Sequence, residues 1–307
     1  MTARLDRDAA GNGARTDQGW TVLRLILWSA DYLGEKGVEN GRLDAEHLLA
    51  KAVGVDRLQL YLDYDRPLAE AELEDFRPLL KRRAKREPLQ YILARQAFRE
   101  LQLEVSREVL IPRPETELLV GEVLEWVSKQ EREAPTALDV GTGSGAISLS
   151  LAFEGPFASV VATDVAEGAL ELARRNRDAA GLGHAVELRL GSLFDPIGPQ
   201  ERFDVIVSNP PYVPEADAAS LQPEVTEWEP HGALFGGPDG LDVLRGLAGG
   251  ARRHLHPGGL LGLEVGAGQA AKVVELIEEE GGYREVRVAR DYSGRERFVL
   301  AREATVE

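Results

Sequence analysis

The stretch Ala137-Leu138-Asp139-Val140-Gly141-Thr142-Gly143-Ser144-Gly145-Ala146-Ile147 is an apolar run that enters alternating glycines and then a helix-forming segment. A strand, glycine turn and helix in that order let the backbone pass very close to a ligand, and open α/β sheets bind ligands at the carboxyl ends of their strands. The residues around it obey the same grammar. Strands are expected over 137–140, 160–164, 186–190, 203–208, 260–265, 285–289 and 297–301, with helices such as 166–180 and 269–280 between most of them. Only 291–296, with Ser293-Gly294 as a turn, separates the last two. The expected fold is α/β: a seven-stranded Rossmann-like sheet, parallel until it ends in an antiparallel hairpin.

Upstream of residue 112 the pattern differs. Leu23, Ile26, Leu27 and Ala30 fall on one helical face, as do Ala45, Leu48, Leu49 and Ala52, with glycines between the stretches. Pro88 closes this segment, and Phe98, Leu101, Leu103 and Val105 then alternate with polar residues as a hairpin would. A chain of 307 residues is long for one core and comfortable for two. The expected organisation is a flexible tail over 1–19, a small all-helical domain over 20–88, a linker with a short β-hairpin over 89–111, and the α/β domain over 112–307. The basic run Lys81-Arg82-Arg83-Ala84-Lys85-Arg86 reads as a solvated helix end whose cations suit the C-terminal dipole.

Composition removes several chemistries. With no Cys, disulfides, thiolate zinc sites and Cys nucleophiles are excluded together, and five His do not favour a catalytic metal. No apolar run approaches the ~20 residues of a membrane span, so a cytoplasmic location is expected. The formal charge of -16, from 52 acidic and 36 basic residues, argues against a phosphate backbone as the main source of affinity.

The spacing Gly141, Gly143, Gly145 is G-x-G-x-G, not the G-x-G-x-x-G of dinucleotide binders. Asp139, two residues before the first glycine, suits a ligand ammonium group and repels a pyrophosphate. Asp164 ends the next strand, where a carboxylate can accept both hydroxyls of a ribose. Amino acid head, ribose and sulfonium together describe S-adenosyl-L-methionine. Its candidate site is Asp139, Gly141, Thr142, Gly143, Ser144, Gly145 and Asp164, with Leu193 and Phe194 as an adenine sandwich. Asn209 borders both this site and the next.

That next motif is Phe203-Asp204-Val205-Ile206-Val207-Ser208-Asn209-Pro210-Pro211-Tyr212. Two prolines lock the turn after a buried strand and leave carbonyl oxygens that need donors. A planar NH2 group supplies two: Asn209 Oδ1 and the Pro210 carbonyl each accept one N–H, and Tyr212 packs on the plane. The expected catalytic set is Asn209, Pro210, Pro211 and Tyr212. An amide nitrogen is a poor nucleophile, so positioning matters more than a general base, and no His or Glu is nominated as one.

With these motifs the chain resembles the HemK/PrmC family, the glutamine-N5 methyltransferases of peptide chain release factors. Further family-like stretches are Pro88-Leu89-Gln90-Tyr91-Ile92, Leu110-Ile111-Pro112-Arg113-Pro114-Glu115-Thr116-Glu117, Glu229-Pro230, and Ala233 to Leu241. The resemblance spans nearly all of 20–303. It implies a class I S-adenosyl-L-methionine-dependent fold, the glutamine of a release factor's Gly-Gly-Gln loop as acceptor, and partner recognition by the helical domain. Ser192, where the family often has an acid, and Ala94, where it usually has Gly, depart from the pattern. Asn-Pro-Pro-Tyr also occurs in adenine-N6 methyltransferases of DNA or RNA, the alternative enzyme reading. A non-catalytic scaffold would show damage to the glycine turn or Asn209, and both are intact.

Overall fold

The computed structural model describes residues 19–304, in two compact units that part between Leu93 and Ala94. The expected tail over 1–19 lies, apart from Gly19, outside the described residues. The division falls inside the stretch expected as a linker. Ala94 takes φ of 58°, a left-handed backbone that favours the glycine expected there.

The first unit consists of α1 (Val22–Glu35), α2 (Gly41–Val53), α3 (Arg57–Leu62), α4 (Glu70–Arg83) and α5 (Leu89–Leu93). The Thr21 side chain caps α1, accepting from the Arg24 N–H at 3.4 Å. The core joins Leu25, Ile26 and Leu33 to Leu48, Leu49, Phe76 and Leu80. Leu27, expected on the buried face of α1, is 45% exposed, and Leu25 is buried instead. Leu23, Leu25 and Leu27 allow two overlapping stripes, and only the packing partner chooses between them.

In the basic run at the end of α4, Lys81, Arg82 and Lys85 are exposed as expected, and Arg83 is the exception. Arg83 is buried and its Nε donates to Asp44 at 2.6 Å, while Arg82 donates to both oxygens of Glu87 at 2.8 and 2.6 Å. Arg83 thus ties α4 to α2, whereas Arg82 stays exposed while it pairs with Glu87. Removing one partner of a buried pair such as Arg83–Asp44 leaves an uncompensated charge, at a cost of about 3–5 kcal/mol.

The second unit opens with an antiparallel hairpin, β1 (Arg95–Phe98) and β2 (Leu101–Glu104). Its sheet contains β3 (Thr136–Val140), β4 (Ser159–Asp164), β5 (Val186–Leu190), β6 (Phe203–Ser208), β7 (Leu255–Glu264), β8 (Tyr283–Arg290) and β9 (Glu296–Glu303). The order is β5-β4-β3-β6-β7-β9-β8, parallel from β5 to β7 and antiparallel at β7-β9 and β9-β8. The helices are α6 (Pro114–Ser128), α7 (Ala146–Glu154), α8 (Glu167–Ala179), the short α9 (Pro223–Thr226) and α10 (His231–Leu234), α11 (Asp242–Ala251) and α12 (Ala270–Glu280).

Strand alternation feeds two cores. Val205 and Val207 of β6 join Leu119 and Val123 of α6 and Leu149 of α7 on one face, whereas Ile206 joins Leu244 and Leu247 of α11 and Val273 of α12 on the other. Because both faces are covered, β6 is buried along its whole length, which explains its unbroken apolar run. Ile206 is 0% exposed, so truncation to Ala costs about 2–5 kcal/mol. Strand β3 has β4 on one side and β6 on the other, so the order reverses there, and a crevice opens beyond the carboxyl ends of these strands.

Candidate active site

A cavity of about 540 Å³ occupies that crevice, walled by Gly141 to Ser144 after β3, Asp164 and Val165 after β4, Gly191 to Leu193 after β5, and Ser208 to Pro211 after β6. Its volume lies in the range of cofactor sites. The glycine turn is tied down by its own amides. Gly141 and Thr142 both donate to the Thr163 carbonyl at 2.9 Å, and Gly143 donates to Asp164 Oδ2 at 2.9 Å. Gly145, the N-cap of α7, sits at φ of 86°, a left-handed backbone that any other side chain would strain.

The two acids expected to hold the cofactor sit differently. Asp164 lines the cavity, and each of its oxygens takes one backbone N–H, Gly143 on Oδ2 and Ala166 on Oδ1 at 2.9 Å. One lone pair per oxygen is left for a diol. Burial raises its pKa, against the pull of those amides. Asp139 is 0% exposed and does not line the cavity. Its Oδ2 accepts from Thr142 Oγ1 at 2.7 Å and from the Ser148 N–H at 3.1 Å, bracing the turn from beneath, and its Oδ1 has no partner. Burial pushes the Asp139 carboxyl up to about 6.

Leu193 and Phe194 differ as well. Both pack against the second core beside α11, but only Leu193, with φ of 48°, also lines the cavity, while Phe194 stacks on His254 at 5.3 Å. An adenine sandwich of these two neighbours is therefore not formed by the fold. Val165 also lines the cavity with an apolar side chain that is 73% exposed. Ser192 also lines the cavity. The glycine turn, the open lone pairs of Asp164 and these apolar walls fit a nucleoside with a short charged tail.

Asn209, Pro210 and Pro211 line the same cavity, and Tyr212 does not. Expected on the plane of an amide substrate, Tyr212 turns behind the loop: its hydroxyl lies 3.4 Å from Glu264 Oε1, and the Arg297 guanidinium sits 5.9 Å from its ring. The Tyr212 carbonyl accepts from Gln269 Nε2 at 2.9 Å. Val213 donates to the Leu234 carbonyl and accepts from the Gly236 N–H, which fastens the proline turn to the segment before α11.

Sequence reasoning missed what stands behind Asn209. Asn209 Nδ2 donates to Thr116 Oγ1 at 2.9 Å, and Thr116 Oγ1 donates to Glu264 Oε2 at 2.7 Å. Thr116 is on α6 and Glu264 ends β7, both buried. Burial pushes the Glu264 carboxyl up to about 7, although Thr116, Arg297 and Tyr212 favour its charge. An acid closing an otherwise apolar strand was the available signal. Two family-like stretches also meet: Arg113 Nη2 donates to both oxygens of buried Glu229, at 2.8 and 2.7 Å.

Sequence patterns of two families fall on this architecture. The PrmC N-terminal domain matches residues 24–93, ending where the first unit ends, and the methyltransferase small domain matches residues 116–225, which include the glycine turn and the Asn-Pro-Pro-Tyr motif. A methyltransferase structure from Pyrococcus furiosus is 25% identical, covering 74% of this chain and 99% of that one, with a TM-score of 0.51. The release factor glutamine methyltransferase of Geobacter sulfurreducens is 47% identical over 92% of this chain and 97% of its own length. That of Rhodopirellula baltica is 39% identical over 94% and 98%. With identity of this depth running from the helical unit to the end of the class I methyltransferase sheet, the chain belongs to the release factor glutamine methyltransferase family.

Proposed function

We propose that the protein methylates the side-chain amide nitrogen (N5) of the glutamine in the Gly-Gly-Gln loop of peptide chain release factors, in the cytoplasm. The observation that carries this reading is Asn209 and Pro210 on the wall of a cofactor-sized cavity at the reversal of strand order. S-adenosyl-L-methionine is the methyl donor and supplies an electrophilic methyl group when bound. Asp164 accepts the ribose hydroxyls, the backbone of Gly141 to Ser144 borders the amino acid end, and Val165 and Leu193 flank the base.

At the acceptor end, Asn209 Oδ1 and the Pro210 carbonyl each take one N–H of the substrate amide. Pro210 and Pro211 fix the turn that carries these acceptors, and Tyr212 anchors it from behind. Two fixed acceptors orient the nitrogen lone pair and favour its pyramidal form, and positioning of this kind is worth up to ~7 to 11 kcal/mol. Once methylated, the nitrogen is acidic and releases a proton to solvent, so no dedicated base is required. The helical unit contributes recognition of the release factor. A charge of -16 disfavours the adenine-N6 alternative on DNA or RNA.

Labelled S-adenosyl-L-methionine, incubated with a purified release factor, tests the reading. Label is expected with wild type and an intact Gly-Gly-Gln glutamine, and is expected to be lost with Asn209→Ala or when that glutamine is replaced. Label on DNA or RNA and none on protein would move the acceptor to an adenine amino group.

A further inference from the structure

We infer that Glu264, acting through the Thr116 hydroxyl, sets the polarity of the Asn209 side-chain amide so that its oxygen faces the acceptor nitrogen. Both are positioning residues, and the inference rests on the glutamine reading above. A hydroxyl has a single proton to donate, and a carboxylate can only accept. Thr116 Oγ1 gives its proton to Glu264 Oε2 at 2.7 Å, so towards Asn209 it can only accept, and the group it meets at 2.9 Å must be Nδ2. With Nδ2 held there, Oδ1 is the free edge of a residue on the cavity wall.

The opposite orientation would aim an NH2 at an NH2, which repels the substrate. A neutral Asn amide has no intrinsic preference between its two flips, so something outside it must choose. Glu264 is 1% exposed and does not line the cavity, which excludes direct contact with the substrate.

The relay is sensitive to the charge of Glu264. A protonated Glu264 can donate to Thr116, whose own proton is then free to point at Asn209 and turn the amide over. Burial brings the Glu264 carboxyl to about 7, so this reversal falls within the working range of pH. The groups facing it are Thr116 and Glu115 from α6, Tyr212 after β6 and Arg297 from β9. Arg297 neutralises it only in part, since its Nη1 donates to the Val265 carbonyl at 3.1 Å and its Nε lies 3.7 Å from Asp291.

The test compares wild type with Glu264→Gln, Thr116→Val and Thr116→Ser. It measures methyl transfer to a release factor, calorimetric affinity for S-adenosyl-L-methionine, and affinity for a peptide containing Gly-Gly-Gln. Thr116→Val is expected to lower kcat roughly 100-fold, the effect of losing fixed acceptor geometry, and Glu264→Gln, whose amide can either accept from or donate to Thr116, to lower it less, while cofactor affinity stays within about twofold in both. Thr116→Ser, which keeps the hydroxyl, is expected to recover most of the rate. Wild-type kcat should fall on the acid side with an apparent pKa near the value of about 7 held by Glu264, and this limb should vanish in Glu264→Gln. Peptide affinity should weaken in Thr116→Val and not in Thr116→Ser.

Undiminished kcat in Thr116→Val, or an acid limb that survives Glu264→Gln, would overturn the inference. So would a loss in which Thr116→Ser is no better than Thr116→Val and cofactor binding falls in step, the mark of a packing role alone. Absence of transfer by wild type itself would overturn the glutamine reading and the inference with it, and is separated from the other outcomes by the wild-type control.

Discussion

Asp139 has one oxygen with two hydrogen bonds and the other with none, in a site of zero exposure. Its carboxyl is raised from 3.8 to about 6, so the folded state holds a proton that the unfolded chain has already released. Stability therefore falls as pH rises through that window and is level above it. Asn at this position keeps an acceptor where Oδ2 stands and puts NH2 where Oδ1 stands. Calorimetric melting of the cofactor-free protein should show Asp139→Asn gaining on wild type as pH rises from about 4 to about 6, the window between its unfolded and folded pKa. A gain of wild type over the variant would refute the assignment. If Asp139 reaches the ammonium group of the cofactor, the same variant also loses affinity for S-adenosyl-L-methionine; unchanged affinity would confine it to bracing the turn.

At the scale of elements, the proline turn after β6 depends on the segment before α11. A Cβ on Gly236 would stand 2.5 Å from the Pro211 carbonyl and 2.7 Å from the Gly240 carbonyl, both rigid backbone. Gly236→Ala must move the turn that carries Asn209 and Pro210. Displacements near 1 Å at a positioned nucleophile cost about 100-fold, so kcat should fall by that order while the far-ultraviolet circular dichroism is unchanged. Normal kcat would mean that the two segments yield independently. The Gly-rich family-like stretch around this residue carried no visible chemistry in the sequence, and its part in the fold is to let two backbones touch.

At the scale of the molecule, the second unit holds both sheet cores and the whole cavity lining. A fragment beginning at Ala94 should therefore fold cooperatively and bind S-adenosyl-L-methionine with near-wild-type affinity, while methyl transfer to an intact release factor drops steeply. Calorimetry and label transfer separate the two properties. Full transfer by the fragment would remove the helical unit from partner recognition, and failure to bind cofactor would tie the two units into one cooperative body.

Period and spacing were enough for the seven strands, the helical first unit, the glycine turn and the turn of Asn209 to Pro211. Each of these is a local pattern: alternation where one face is buried, unbroken apolar runs where two are, glycines and prolines where backbone angles are restricted. The sequence alone also placed Asp164 at a strand end and Asn209 after another. Local pattern could not say that β9 inserts between β7 and β8, since both hairpin arrangements use the same residues. It could not tell that Asp139 points under the turn while Asp164 points into the cavity, because an acid near glycines reads alike in either case. Nor could it tell that of Leu193 and Phe194, both packed beside α11, only Leu193 reaches the cavity. Thr116 and Glu264, 148 positions apart, become partners of Asn209 only because α6 packs on the sheet beside the end of β7. Local geometry is written in a few adjacent residues, whereas the contacts that orient a reacting group come from elements distant in sequence, and only the folded packing brings them within hydrogen-bond reach.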